Sequence, residues 1–187
     1  MKIVSENFRN LHALYVNQLR VMLSAEEQIV RALPDMANAA THEELRQALW
    51  THYQETDEHV KRLEAVIARI KQVDPATTST AAIRCKAVHA LIAETEDMME
   101  DARDAFVKDA ALITAAQRVE HYEIAAYGTL RQWARVLGES ADAEVLDKTI
   151  QEEGNADHLL TSIAERINTD AKGGRDTVMG EGKRTAA

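Results

Sequence analysis

Glu120 and Glu123 stand within VEHYEIAAY, residues 119–127, a run whose apolar residues keep helical spacing and put both carboxylates on the side that should be buried. The same thing happens three more times. Glu26 falls between Met22 and Ile29, while His52, Glu55 and His59 fall between Leu49 and Leu63. Glu153, followed by Ala156 or Asp157, falls between Ile150 and Leu160. An isolated ionised carboxylate in a low-dielectric interior costs several kcal/mol even after relaxation, so converging carboxylates must be protonated or meet a cation. Arg20, Arg31, Lys61, Arg62 and Arg118 lie between core positions and should reach solvent. A pair of divalent or trivalent metal ions, bridged by carboxylates and completed by imidazole, is the simplest remaining counter-charge.

Convergence depends on the elements that carry these residues. Phe8, Leu11, Tyr15, Leu19, Met22, Ile29 and Leu33 step three or four apart and predict one helix from about Ser5 to Ala39, with Pro34 loosening its last turn. Thr41 with Glu44 has capping-box spacing and opens a second helix, about His42 to Val73, which DPATTSTA at 74–81 ends. Residues 81–100 are expected to form a shorter helix. A third long helix, with Phe106, Ile113, Ala116, Tyr127, Leu130 and Ala134 on one stripe, runs from about Asp104 to Leu137 and stops at Gly138. The fourth begins near Ser140, with Leu146, Ile150, Leu160, Ile163 and Ile167 as its stripe, and AKGGRDTVMGEGKRTAA then loses all periodicity.

Short links make each pair of long helices an antiparallel hairpin, and residues 74–103 are long enough to cross from one end to the other. The expected fold is therefore all-α: a ferritin-like four-helix bundle with one long crossover containing a short fifth helix, spanning 1–170, and a disordered tail at 171–187. With hairpin turns near residues 40 and 139, Glu26, Glu55, Glu123 and Glu153 each lie about 14 to 16 residues from their turn. At ~1.5 Å of rise per residue they share one level. His52 and His59 flank Glu55 by about one turn, Glu120 lies one turn beyond Glu123, and Asp157 one turn beyond Glu153. His12, His42 and His89 fall away from this level, and His158 should point off the seam. Tyr122 and Tyr127 read as core aromatics, and Glu27 and Glu152 as the solvated halves of their Glu-Glu pairs.

Composition narrows the functional classes. A formal charge of −9, with no basic face, argues against nucleic acid as a partner. Cys85 is the only cysteine, so there is neither a disulfide framework nor a thiolate metal site, and it reads as a small buried hydrophobe. The opening MKIVSENFRNLHALYVNQLR carries charges throughout and lacks an apolar signal region, and no later run approaches the ~20 apolar residues of a membrane span. The expected location is cytoplasmic, with no membrane partner.

The segments LSAEEQIVRALPDMA, HYQETDEHVKRLE, RCKAVHALIAE, DAALITAAQRVEHYEIAAYGTL and EEGNAD resemble the YciE/YciF family of bacterial ferritin-like proteins, over most of residues 5–165. The resemblance implies a dimer, a rubrerythrin-like dinuclear metal site and a link to bacterial stress responses. Carried over by position, its metal layer falls on Glu26, Glu55, Glu120, Glu123 and Glu153, with Asp157 in a matching place. Di-iron carboxylate bundles usually place His three residues after Glu on two helices. Here Glu55 is followed at that spacing by Glu58, and Glu153 by Ala156. His52 or His59 supplies the imidazole instead, and the oxygen-rich site admits Mn as well as Fe.

The leading expectation is a two-metal, Fe or Mn, oxidase or peroxidase acting on oxygen or peroxide, with Glu55 and Glu153 bridging and Glu26 with Glu123 or Glu120 terminal. The rival is a non-catalytic, stress-induced structural or interaction bundle with a vestigial metal site. An iron-storage cage is the weakest reading, because no cage-forming surface is recognisable.

Overall fold

Asn10 sets the start of the first helix, α1, Leu11–Ala39: its backbone is extended and its side chain accepts from the Ala13 N–H at 2.8 Å. This is a computed structural model, and it describes residues 8–73 and 83–172. The helix therefore begins later than the apolar spacing suggested. Phe8 lies before the cap and is 43% exposed, and residues 5–7 are outside the described part. α1 continues through Pro34 to Ala39.

α2, Glu43–Val73, is not opened by the expected capping box. Asp109, a fully buried residue from the first turns of a later helix, accepts from the Thr41 N–H at 2.8 Å, the Thr41 hydroxyl at 2.6 Å and the His42 N–H at 2.9 Å. Thr41 is a donor here, because a carboxylate arriving from across the fold takes both its hydroxyl proton and its backbone N–H, the amide that Glu44 was expected to serve. The crossover carries α3, Lys86–Asp101, which starts after Cys85: residues 83–85 of the expected helix are not helical, and residues 81–82 lie outside the described part.

α4, Ala105–Leu137, is capped by Asp104, whose side chain accepts from the Phe106 and Val107 amides. It ends at Gly138, at φ 81°, the left-handed conformation that L side chains avoid. A Cβ at Gly138 would touch nothing within 4 Å, so a substitution there meets only the backbone penalty. Gly138→Ala is expected to lower unfolding free energy by about 1–2 kcal/mol, read from urea titration.

α5, Ser140–Ala171, carries a buried Asp142 in its first turn. Asp142 pairs with Arg69 of α2 and accepts from the Tyr15 hydroxyl of α1 at 3.0 Å, pinning three helices at one end. Residues 173–187, most of the expected tail, are outside the described part.

α1 packs on α2 and α4 on α5, the hairpins join through α1–α4 and α2–α5 contacts, and α3 lies across α1 and α4. This is the ferritin-like four-helix layout with one long crossover. Among the described residues there is no strand, and no helix is long and apolar enough to cross a membrane.

The core follows a strict alternation of three- and four-residue steps. In α1 it runs Tyr15, Leu19, Met22, Glu26, Ile29, Leu33, Met36, and in α2 Leu45, Leu49, His52, Thr56, His59, Leu63, Val66, Ile70. In α4 it runs Ala116, Glu120, Glu123, Tyr127, Leu130, Ala134, and in α5 it includes Leu146, Thr149, Glu153 and Leu160. Such spacing keeps one face of each helix turned to its neighbours, so whatever stands at those positions is buried regardless of polarity.

Candidate metal centre

Glu26, Glu123, Glu153 and His59 are fully buried, Glu120 is 1% exposed and His52 6%. They come from four helices to one level between apolar layers above and below. Two groups form there. One ligand atom each from Glu26, His59 and Glu153 lie within 4.8 Å of one another, and so do atoms from His52, Glu120, Glu123 and Glu153. Glu153 belongs to both.

The contacts inside the groups are close. His59 Nδ1 lies 3.0 Å from Glu153 Oε1 and 3.7 Å from Glu26 Oε1. His52 Nε2 is 3.2 Å from Glu120 Oε1, and its Nδ1 is 4.0 Å from Glu153 Oε2. The Tyr127 hydroxyl donates to Glu26 Oε1, so this ring is more than the core filler its spacing suggested.

Burial pushes the carboxyls of Glu120 and Glu123 well above the ordinary range, and neighbouring carboxylates push the same way. Burial also raises Glu26, although His59 and Tyr127 pull against it. Glu153 is held low in spite of its burial, by the close approach of His59 and the nearby His52. Burial disfavours a charge on His59, yet Glu153 and Glu26 outweigh it and lift the ring to about 10. The upward shifts of Glu120, Glu123 and His59 all favour the protonated forms, which lessens the repulsion among the carboxylates.

Glu26 Oε2, Glu120 Oε2, both oxygens of Glu123 and Glu153, both ring nitrogens of His52 and Nδ1 of His59 are buried without a hydrogen-bond partner. Buried polar atoms are ordinarily satisfied, and so many orphaned oxygen and imidazole donors facing one another match the needs of two hard or borderline metal ions. The residues fit.

Glu55 and Asp157 are placed differently. On α2 the three-and-four alternation passes through Thr56, so Glu55 is one position off the seam and only half buried. It lines a cavity of about 100 Å³ between α2 and α5, together with Thr51, His52, Asn155 and Leu160, that reaches Glu120. Burial raises its carboxyl, against the pull of His52. Asp157 accepts from Gln117 Nε2 at 3.1 Å and lies 3.5 Å from the exposed His121, apart from both groups. His158 lies off the seam, its Nδ1 bonding the Gly154 carbonyl at 2.7 Å.

Glu152, expected to be solvated, is instead tied inward: His59 Nε2 donates to its Oε2 at 3.0 Å, and Arg62 pairs with it from α2. Arg62, expected to reach solvent, is correspondingly mostly covered. Cys85 is buried as expected, with its Sγ 3.2 Å from the Tyr122 hydroxyl.

Comparison with known proteins bears on this arrangement. Residues 10–172 match the family described as "Domain of unknown function (DUF892)". Protein YciF of Escherichia coli strain K12 is 37% identical over 167 residues, covering 89% of this chain and 98% of that one. The crystal structure of the Escherichia coli stress protein YciF superposes with a TM-score of 0.78 at 34% identity, covering 87% of this chain and 99% of that one. A proposed structural protein, YcfI of Rhodopseudomonas palustris, gives a TM-score of 0.77 at 34% identity, covering 85% and 98%.

Proposed function

The chain belongs to the DUF892 family of YciF-like, ferritin-like proteins, and from that footing we propose that it is a dinuclear metal-carboxylate protein that reduces dioxygen or peroxide during bacterial stress. One observation carries the reading: two buried ligand groups share Glu153, and their inward atoms have no other partner. Glu26 and His59 would hold one ion, Glu120, Glu123 and His52 the other, and Glu153 both. Two Fe or Mn ions held there would supply the electrons that reduce the oxidant.

The chain's own residues do the rest. The Tyr127 hydroxyl occupies Glu26 Oε1 and leaves Oε2 for the ion. Leucine, isoleucine and alanine layers keep bulk water out, which strengthens every charge interaction inside. The cavity beside Glu55 admits a molecule the size of peroxide to the His52 and Glu120 edge. Glu55, at that opening, is the remaining ligand candidate and would reach the site by swinging in from the cavity wall. Asp157, one turn beyond Glu153 but outside both groups, is the weaker of the two rim residues. A homodimer in the cytoplasm completes the proposal, with sedimentation as its check.

Reconstitution under anaerobic conditions with Fe(II) or Mn(II), followed by metal counting and peroxide challenge, is the direct test. About two ions per chain and metal-dependent peroxide loss are expected; less than one ion per chain with either metal would sink the reading. Metal uptake should also release protons, because the upward shifts of His59, Glu120 and Glu123 favour protonated forms that a bound metal displaces. Calorimetry in two buffers of different ionisation enthalpy should give different apparent heats, and affinity should fall as pH is lowered.

The relative described as a proposed structural protein favours a second reading, a non-catalytic stress bundle. Metal binding without peroxide loss, at unchanged fold, would select it.

A further inference from the structure

His59 and His52 both face the buried carboxylates, but only one of them is held from behind. His59 Nε2 lies 3.0 Å from Glu152 Oε2, whereas neither nitrogen of His52 has a hydrogen-bond partner. Glu152 is itself clamped. Arg62 reaches it with both terminal nitrogens, Nη1 to Oε2 and Nη2 to Oε1, the latter at 3.1 Å, and Nη1 also donates to the buried Thr149 hydroxyl at 3.2 Å. Lys148 approaches Glu152 Oε1 to 3.7 Å from the solvent side.

We infer that Glu152, locked by Arg62, is a positioning residue that fixes His59 with Nε2–H outward and Nδ1 as the atom offered to a metal between Glu26 and Glu153. The inference rests on the two-metal reading. A carboxylate gripped by a two-pronged guanidinium can only accept, so the ring nitrogen facing it must carry hydrogen. Only a neutral imidazole can offer a nitrogen to a metal, and a neutral imidazole has two chemically similar faces and two tautomers. Without a partner behind it, the His59 ring could turn over or move its proton, and part of the population would present the wrong atom to Glu26 and Glu153. Outer partners of metal-bound imidazoles work in this way, and their loss typically weakens metal binding 10- to 100-fold. His52 has no such partner, so the two metal positions are unequally prepared. The group containing His59 is pre-set, and the group containing His52 is left free to adjust at the cavity.

The test uses the full chain with ¹⁵N-labelled histidine. In the metal-free protein, a slowly exchanging Nε2–H resonance, assigned to His59 by its disappearance in His59→Gln, is expected. It should vanish in Glu152→Ala and broaden in Arg62→Gln, while Glu152→Gln, which keeps an acceptor oxygen, should partly restore it. In zinc titrations Glu152→Ala should lose about 10- to 100-fold in affinity at one of two positions and leave the other unchanged. Circular dichroism verifies that the variants remain helical. A resonance that survives Glu152→Ala, or zinc affinities equal to wild type at both positions, would overturn the inference. Zinc refused by the wild type would count against the two-metal reading. The resonance would still decide Glu152, supporting its role if lost in Glu152→Ala and refuting it if absent from wild type.

Discussion

Glu153→Gln is expected to strip the protein of both metal ions at once, while Glu26→Gln and Glu120→Gln each remove one. The difference follows from geometry. Glu153 is common to the two ligand groups, whereas Glu26 belongs only to the His59 group and Glu120 only to the His52 group. Gln matches Glu in shape, so packing survives, but a neutral amide removes the charge that both ions need and binds hard cations poorly. Since losing even an outer partner costs about 10- to 100-fold in affinity, losing a shared ligand should cost on the order of 100-fold or more at each position. Metal counts after reconstitution read this directly. Thermal scans give an independent measure, because a metal that binds only the folded chain raises its melting temperature, and Glu153→Gln should abolish that rise. Equal losses in all three variants would mean that the two groups do not act as separate positions joined by Glu153.

How far the site could be read from sequence depended on phase. α1 and α4 keep their three-and-four alternation through Glu26, Glu120 and Glu123, so the buried carboxylates there were visible as interruptions of an apolar stripe. In α2 the core-facing positions between Leu49 and Leu63 are all polar, and a step of three too many turns Glu55 inward where Thr56 belongs. Thr56 gives little hydrophobic contrast to a neighbouring Glu, and periodicity cannot choose between them. The bundle itself was legible because each long helix has its own stripe and each hairpin its own short link. Cross-helix partnerships were not. Tyr127 with Glu26, Glu152 with Arg62 and His59, and Asp142 with Arg69 and Tyr15 join residues far apart in the chain, which no local pattern encodes.

Asp109→Ala should be the most destabilising of the changes made away from the metal layer, and it should leave metal binding intact. Asp109 is fully buried and satisfies two amides at the opening of α2 together with the Thr41 hydroxyl. Truncation strands all three donors. Losing a helix cap costs about 0.5–2 kcal/mol, and hydrogen bonds to a charged group are worth about 1.5–3 kcal/mol each, with incomplete additivity, so a loss of roughly 3 kcal/mol is expected. For a chain of this size that corresponds to a melting temperature about 6–12 °C lower. Asp109 precedes Glu120 on α4 by about three turns, roughly 16 Å along the helix, too far to shift the ligands while the bundle holds. Asp109→Asn separates the two parts of the effect, since its amide oxygen can still accept but the charge is gone; an intermediate loss is expected. If Asp109→Ala instead removed metal without lowering stability, the joint between the α2 entrance and α4 would be part of the site, and the division between a scaffold pinned at its ends and a polar layer at its middle would fail.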